Sequence, residues 1–139
     1  MVDQMERGMM ENTVYLRPGR GNRLKDLGEI IACLGFDVWG REIFPPFSTL
    51  NFAEHIQIIQ NDLRSWFWHE GAKLVGHSYG GYLLLHALAD LEAFPGSLLL
   101  ISPVLGAARG KWHLSRPLLC FRRNRNFPGR FIVVNRLWG

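Results

Sequence analysis

A serine hydroxyl is a weak nucleophile unless the chain holds it clear of regular structure and a base can take its proton. One stretch of this 139-residue chain has the residue types for the first requirement: Gly76-His77-Ser78-Tyr79-Gly80, a G-x-S-x-G string extended by Gly81. On a sharp strand-to-helix turn such a serine stands at the carboxyl edge of a sheet. Small residues two before and two after it let the flanking chains approach. Gly76 and Gly80 meet that demand. The N–H of Tyr79 would open the following helix without an intrahelical acceptor, and with the positive end of the helix dipole it can face a developing oxyanion. The implied chemistry is acyl transfer, with Ser78 attacking a carbonyl carbon.

The string carries this meaning only between a strand and a helix, and the surrounding pattern predicts both. Ala72 to Gly76 reads as a strand and Tyr79 to Leu91 as a helix stopped by Pro95-Gly96. Upstream, Thr13 to Leu16 is a first strand closed by the turn-forming Arg17-Pro18-Gly19-Arg20-Gly21-Asn22. Leu24, Leu27, Ile30, Ile31 and Leu34 then recur at helical spacing before Gly35, and Phe36 to Trp39 is a second strand. Pro45 and Pro46 make Phe44 to Asn51 a loop. A helix is predicted from about Asn51 to His69, with Phe52, Ile56, Ile59, Leu63, Trp66 and Phe67 facing a sheet. Ser97 to Ile101 and Phe131 to Val134 are further strands, and Gly106 to Asn126 is irregular and basic. Short strands alternating with longer helices predict parallel βαβ units in one domain spanning 1–139, with residues 1–11 outside its ordered part.

On these residues the chain resembles the α/β-hydrolase family. Leu74-Val75-Gly76-His77-Ser78-Tyr79-Gly80-Gly81 looks like its nucleophile elbow, and the elements from Thr13 to Val134 look like its third to seventh strands. The resemblance covers most of the chain. It implies an α/β fold, a mostly parallel sheet of about five strands with helices on both faces, lacking the last strand or strands. It also implies a hydrolase of esterase or lipase type that cleaves a carboxylic ester or related acyl bond of a small molecule, without cofactor or metal. Ser78 is then the nucleophile and the Tyr79 N–H one oxyanion donor. The family's second donor lies after the first of these strands, usually beside a His-Gly pair, where this chain has Arg17-Pro18-Gly19-Arg20-Gly21. Pro18 has no N–H, which leaves Gly19 or Arg20. Arg17 or Arg20 can hold an anionic part of a substrate or be simply exposed turn arginines.

The family's acid and histidine follow the serine in chain order, and here the sequence departs from the pattern. Beyond Ser78 the only acids are Asp90 and Glu92, at the far end of the helix that the serine begins. His77 adjoins Ser78 and diverges from it, His86 lies two turns along the helix, and His55 and His69 belong to the preceding helix, facing solvent or capping it. His113 is the one histidine past that region, with no acid nearby to fix its tautomer. Both missing groups are expected beyond Gly139, so the chain is expected to be C-terminally incomplete. The alternative is a truncated, non-catalytic descendant of the fold that binds a ligand or partner.

Composition narrows the remaining classes. At 47% apolar and 20% charged residues the chain is neither disordered nor collagen-like, and its longest apolar run, Ser97 to Ala108, falls short of the ~18 residues a membrane span needs. The N-terminus carries Asp3, Glu6 and Glu11 and reads as no leader, so cytoplasm is the expected compartment. Cys33 and Cys120 have no metal-ligand spacing and are expected to be buried fillers. All twelve acids lie between Asp3 and Glu92, whereas eight Lys and Arg from Arg109 to Arg136 have none among them. Such a patch attracts anions, but no recognised binding module accompanies it and nucleic acid is not an expected partner. Phe44 and Phe47 could wall a substrate pocket, although core packing is the expectation for the chain's aromatic residues.

Overall fold

The structure, a computed structural model, describes residues 11–44, 49–101 and the backbone of 131–134. Strands β1 (Thr13–Arg17), β2 (Asp37–Gly40), β3 (Lys73–His77), β4 (Ser97–Ile101) and β5 (Phe131–Val134) pair in parallel in the order β2-β1-β3-β4-β5. Between them run α1 (Leu24–Cys33), α2 (Phe52–Trp66) and α3 (Tyr79–Ala89). The architecture is therefore α/β with a parallel sheet and three helices among the described residues.

Alternation along the central strands sends side chains to two cores. Val14, Leu16 and Val75 pack with Ile31 and the partly buried Leu24, Leu27, Val38, Leu99 and Ile101 beneath α1. Tyr15, Leu74, Leu98 and Leu100 pack on the other face with residues of α2 and α3 such as Ile59, Leu63, Leu84 and Leu88. Helices thus cover both faces, and the buried central strands read as continuous apolar runs.

The helices follow from their sequences, with corrections in α1 and α2. In α1 the buried stripe is narrower than the apolar spacing suggests: Ile31 is buried, whereas Ile30 and Leu34 are exposed. Cys33 is exposed as well, not a buried filler, because two residues beyond Ile31 is roughly 200° around a helix. In α2, Asn51 is the N-cap: its side chain accepts from the Glu54 N–H at 2.9 Å, and the Glu54 carboxylate accepts from the Asn51 N–H at 3.0 Å. The helix ends at Trp66 and not at His69, because the chain leaves it at Phe67, whose fully buried ring packs 5.1 Å from Tyr15 and 6.0 Å from Trp39. Phe52, expected on the buried face, is exposed, while two polar residues, His55 and Asp62, are buried. Helix α3 buries residues on most of its circumference, as a central helix must. No described helix is long and apolar enough to cross a membrane.

The strand order sets where a ligand can enter. From β1 the chain moves outward to β2, then crosses back to β3 and continues to the other side. The crevice outside the carboxyl ends of β1 and β3, where the direction of winding reverses, is the switch point of such sheets. The turns after β1 and β3 both open there.

Leu63 has no exposed surface, so Leu63→Ala should cost about 2–5 kcal/mol in urea unfolding. Leu34 is 72% exposed, and Leu34→Ala should change stability by no more than about 0.5 kcal/mol.

Candidate active site

Ser78 links β3 to α3 with φ 53° and ψ −122°, and it is the one described residue other than glycine at positive φ. A residue with a Cβ is held there at a cost of about 1–3 kcal/mol, which the surroundings must over-determine. They do so through its backbone. The Ser78 N–H donates to the Ile101 carbonyl at the end of β4 at 3.0 Å, and the Ser78 carbonyl accepts from the N–H groups of Gly81 at 3.1 Å and Tyr82 at 3.3 Å. The serine is half-buried and does not cap the helix with its side chain.

The two elbow glycines are required by contact. A Cβ on Gly80 would lie 2.0 Å from the Arg17 carbonyl oxygen, and one on Gly76 would lie 2.6 Å from the Gly81 Cα. Both obstacles are backbone and cannot swing aside. The start of α3 is therefore pressed onto the exit of β1, and Gly19 in the turn after β1 lies so close that its own Cβ would be 3.0 Å from the Ser78 Cβ. That turn is closed by the Asn22 N–H donating to the Gly19 carbonyl at 3.1 Å. Two loops expected on sequence grounds to supply oxyanion donors are thus brought together around one serine. Tyr79, at the first position of α3, has an N–H with no acceptor inside the helix.

Arg17 and Arg20 separate sharply. Arg20 is exposed, and its guanidinium carbon stands 4.3 Å from the centre of the Tyr79 ring. Arg17 is no exposed turn arginine: it is the last residue of β1, paired in register with Gly76, and it has no accessible surface. Burial lowers its pKa, while Tyr15, through a side-chain hydrogen bond, and Asp62 oppose that. Tyr15 donates its hydroxyl to Asp62 Oδ2 at 3.0 Å, and Arg41 reaches the same carboxylate twice, Nε to Oδ2 at 2.8 Å and Nη2 to Oδ1 at 3.0 Å. Burial pushes the Tyr15 phenol far above its usual range, so it stays protonated and donates. A buried chain of polar groups, Arg41–Asp62–Tyr15–Arg17, therefore runs from the protein's flank to the exit of β1.

The histidines distribute unevenly. His55 is buried and does not face solvent. Its burial, then the nearby charges of Arg17 and Arg20, lower its pKa, against Glu54 and a hydrogen bond to the Leu50 backbone. It is neutral at pH 7 and belongs to the same neighbourhood as the two arginines. His77 is half-buried at the end of β3. His86 lies against Tyr82 and Phe52, at 4.4 and 5.2 Å between ring centres. His113 and the basic stretch Arg109 to Arg130 lie outside the described residues, as do Arg136, Phe47 and Cys120. Phe44 is covered by the Arg23 guanidinium at 3.9 Å. Asp90 caps α3 at its far end, and Glu92 pairs with Arg64 at 3.8 Å with both side chains exposed. Eleven helical residues put them roughly 16 Å from the serine. Among the described residues no cluster of three or more His, Cys, Asp or Glu could hold a metal ion.

Sequence reasoning missed His55 and Asp62. The signal was present: the two are seven residues apart on α2, hence on one face, and that face also carries Ile56, Ile59 and Leu63. No family model matches this sequence, and no curated protein matches it either.

Two outcomes follow. In an open helical position Gly→Ala gains about 1 kcal/mol, but Gly80→Ala should lose about 3 kcal/mol or more because its methyl meets backbone; chemical denaturation measures the difference. The folded His55 pKa lies below its ordinary value of 6.5, so below that pH the unfolded chain binds more protons and stability falls as pH falls. His55→Gln should flatten that slope in urea midpoints measured between pH 5 and 7.5.

Proposed function

We propose that this chain is a serine hydrolase with an α/β-hydrolase-like fold, acting on a carboxylic ester or related acyl bond of a small molecule. The observation that carries the reading is Ser78 at φ 53°, on the turn between β3 and α3, at the switch point of a parallel sheet. Strand order and helices on both faces support the fold side of the proposal. The catalytic side rests on what such a turn is for.

Ser78 Oγ attacks the carbonyl carbon while a base takes its proton, and the carbonyl oxygen gains the negative charge. The Tyr79 N–H and a second N–H, from Gly19 or Arg20, face that charge, reinforced by the dipole of α3. Collapse of the tetrahedral intermediate expels the alcohol, which takes up the proton, and leaves an acyl-Ser78. Water then attacks the acyl carbon with the same assistance, releasing the acid and restoring the hydroxyl. No described residue is assigned as that base, and His113 is only a low-ranked candidate for it.

A second reading, a non-catalytic relative of the fold that binds a ligand or partner, is favoured by one observation. Asp90 and Glu92, the acids that follow Ser78 within these 139 residues, stand at the far end of α3 from the serine. One experiment separates the two. A fluorophosphonate probe should label the wild-type chain and not Ser78→Ala, and hydrolysis of 4-nitrophenyl acetate should fall by about a thousandfold or more in that variant. A compact wild-type chain that neither labels nor turns over ester supports the binding reading. Equal labelling of both proteins contradicts the assignment of Ser78.

A further inference from the structure

Two arginines, Arg17 and Arg20, belong to β1 and the turn that abuts Ser78, where a substrate must approach. Arg20 follows Gly19, which abuts Ser78, and its guanidinium lies over the ring of the residue after Ser78. It therefore reaches from the turn after β1 to the residue that follows Ser78. A guanidinium carries its N–H donors in a fork that matches a carboxylate, and the Arg20 side chain is exposed. Ion pairs among the described residues join Arg23 to Glu42, Arg41 to Asp62 and Arg64 to Glu92. None of them involves Arg20.

The surroundings reinforce this positive charge. Arg17 lies at the exit of β1 with no exposed surface, and a buried charge is screened less than one in water. The carboxylate that faces it, Asp62, is also held by Arg41 through two hydrogen bonds and by Tyr15 through one. Glu54, the other nearby acid, accepts from the Asn51 N–H in the cap of α2. The first turn of α3 carries no acidic residue. His55 is buried in the same neighbourhood as both arginines.

We propose that the acyl compounds this site accepts carry a second, oxyanionic group such as a carboxylate, gripped by the exposed fork of Arg20 next to Ser78, with Arg17 supplying positive potential from beneath. This rests on the hydrolase reading and names its substrate class. Arg20 is the residue that sets specificity. The Arg20 backbone N–H, a candidate oxyanion donor, is retained in any side-chain substitution and does not confuse the test.

Two esters alike but for one charge provide that test: mono(4-nitrophenyl) adipate and 4-nitrophenyl hexanoate. Wild-type kcat/KM should favour the adipate by about tenfold at low salt, the order of one charge-assisted hydrogen bond. The ratio should shrink with added salt, fall to near one in Arg20→Gln and invert in Arg20→Glu, with circular dichroism confirming that each variant folds. A wild-type ratio near one, or a ratio unchanged in Arg20→Gln, overturns the inference and leaves the hydrolase reading intact. Binding to Ser78→Ala by equilibrium dialysis is a separate arm that needs no turnover. Tighter retention of the adipate ester there, lost on adding Arg20→Gln, supports the anionic subsite even if the wild type cleaves neither ester, whereas equal retention of both esters overturns it.

Discussion

Everything about this site depends on a clash that two glycines avoid. The amino end of α3 can press against the exit of β1 only because Gly80 presents no side chain to the Arg17 carbonyl. That close approach forces the intervening residue into a backbone region that side-chain-bearing residues seldom occupy. Ser78 is held there by hydrogen bonds from its own backbone to β4 and to the first turn of α3. Without the small residues the helix would stand off, the turn would relax, and the hydroxyl and the amide groups of the two loops would part. Strain at one residue is thus maintained by packing at its neighbours, as is common where a fold holds a reactive group.

A second constraint works from the flank. The parallel sheet buries β1 on both faces, yet its last residue is a fully buried arginine. A guanidinium in that position is tolerable only with polar company, and Tyr15 and Asp62 supply it, with Arg41 holding the carboxylate from the partly exposed side. An apolar residue at the end of β1 would pack at less electrostatic cost. The positive charge at the switch point has its rationale in the anionic subsite proposed above, and the same network ties α2, which contributes Asp62 and His55, to the loop that abuts Ser78.

Much of the architecture was legible because it rests on periodicity and local rules. Alternating apolar segments gave the α/β class, and the bounds of β4 and β5 agree with the apolar runs from Ser97 and from Phe131. The helix after Gly76-His77-Ser78-Tyr79-Gly80 was legible because glycine spacing on either side of a serine is a steric requirement, not a preference. What the sequence hid is what depends on contacts between distant segments. The burial of Arg17 follows from its pairing opposite Gly76, fifty-nine residues on. His55 and Asp62 were obscured because polar residues on an amphipathic helix are ordinarily assigned to solvent, and here the buried partners come from β1 and from Arg41. The exposure of Ile30 and Leu34 was hidden in the same way, since helical spacing reports a face but not how much of it a sheet can cover.

The central claim is that Ser78 Oγ is a nucleophile aimed at a carbonyl whose oxygen meets the amide groups of Tyr79 and of the turn after β1. The most direct measurement is a crystal structure of the chain after reaction with a fluorophosphonate, which leaves a tetrahedral phosphonyl group as a mimic of the acyl intermediate. The account predicts a covalent Ser78 Oγ–P bond and a phosphonyl oxygen about 2.7–3.1 Å from the Tyr79 nitrogen and from that of Gly19 or Arg20. An adduct on another residue, or a phosphonyl oxygen turned to solvent away from both loops, would contradict it.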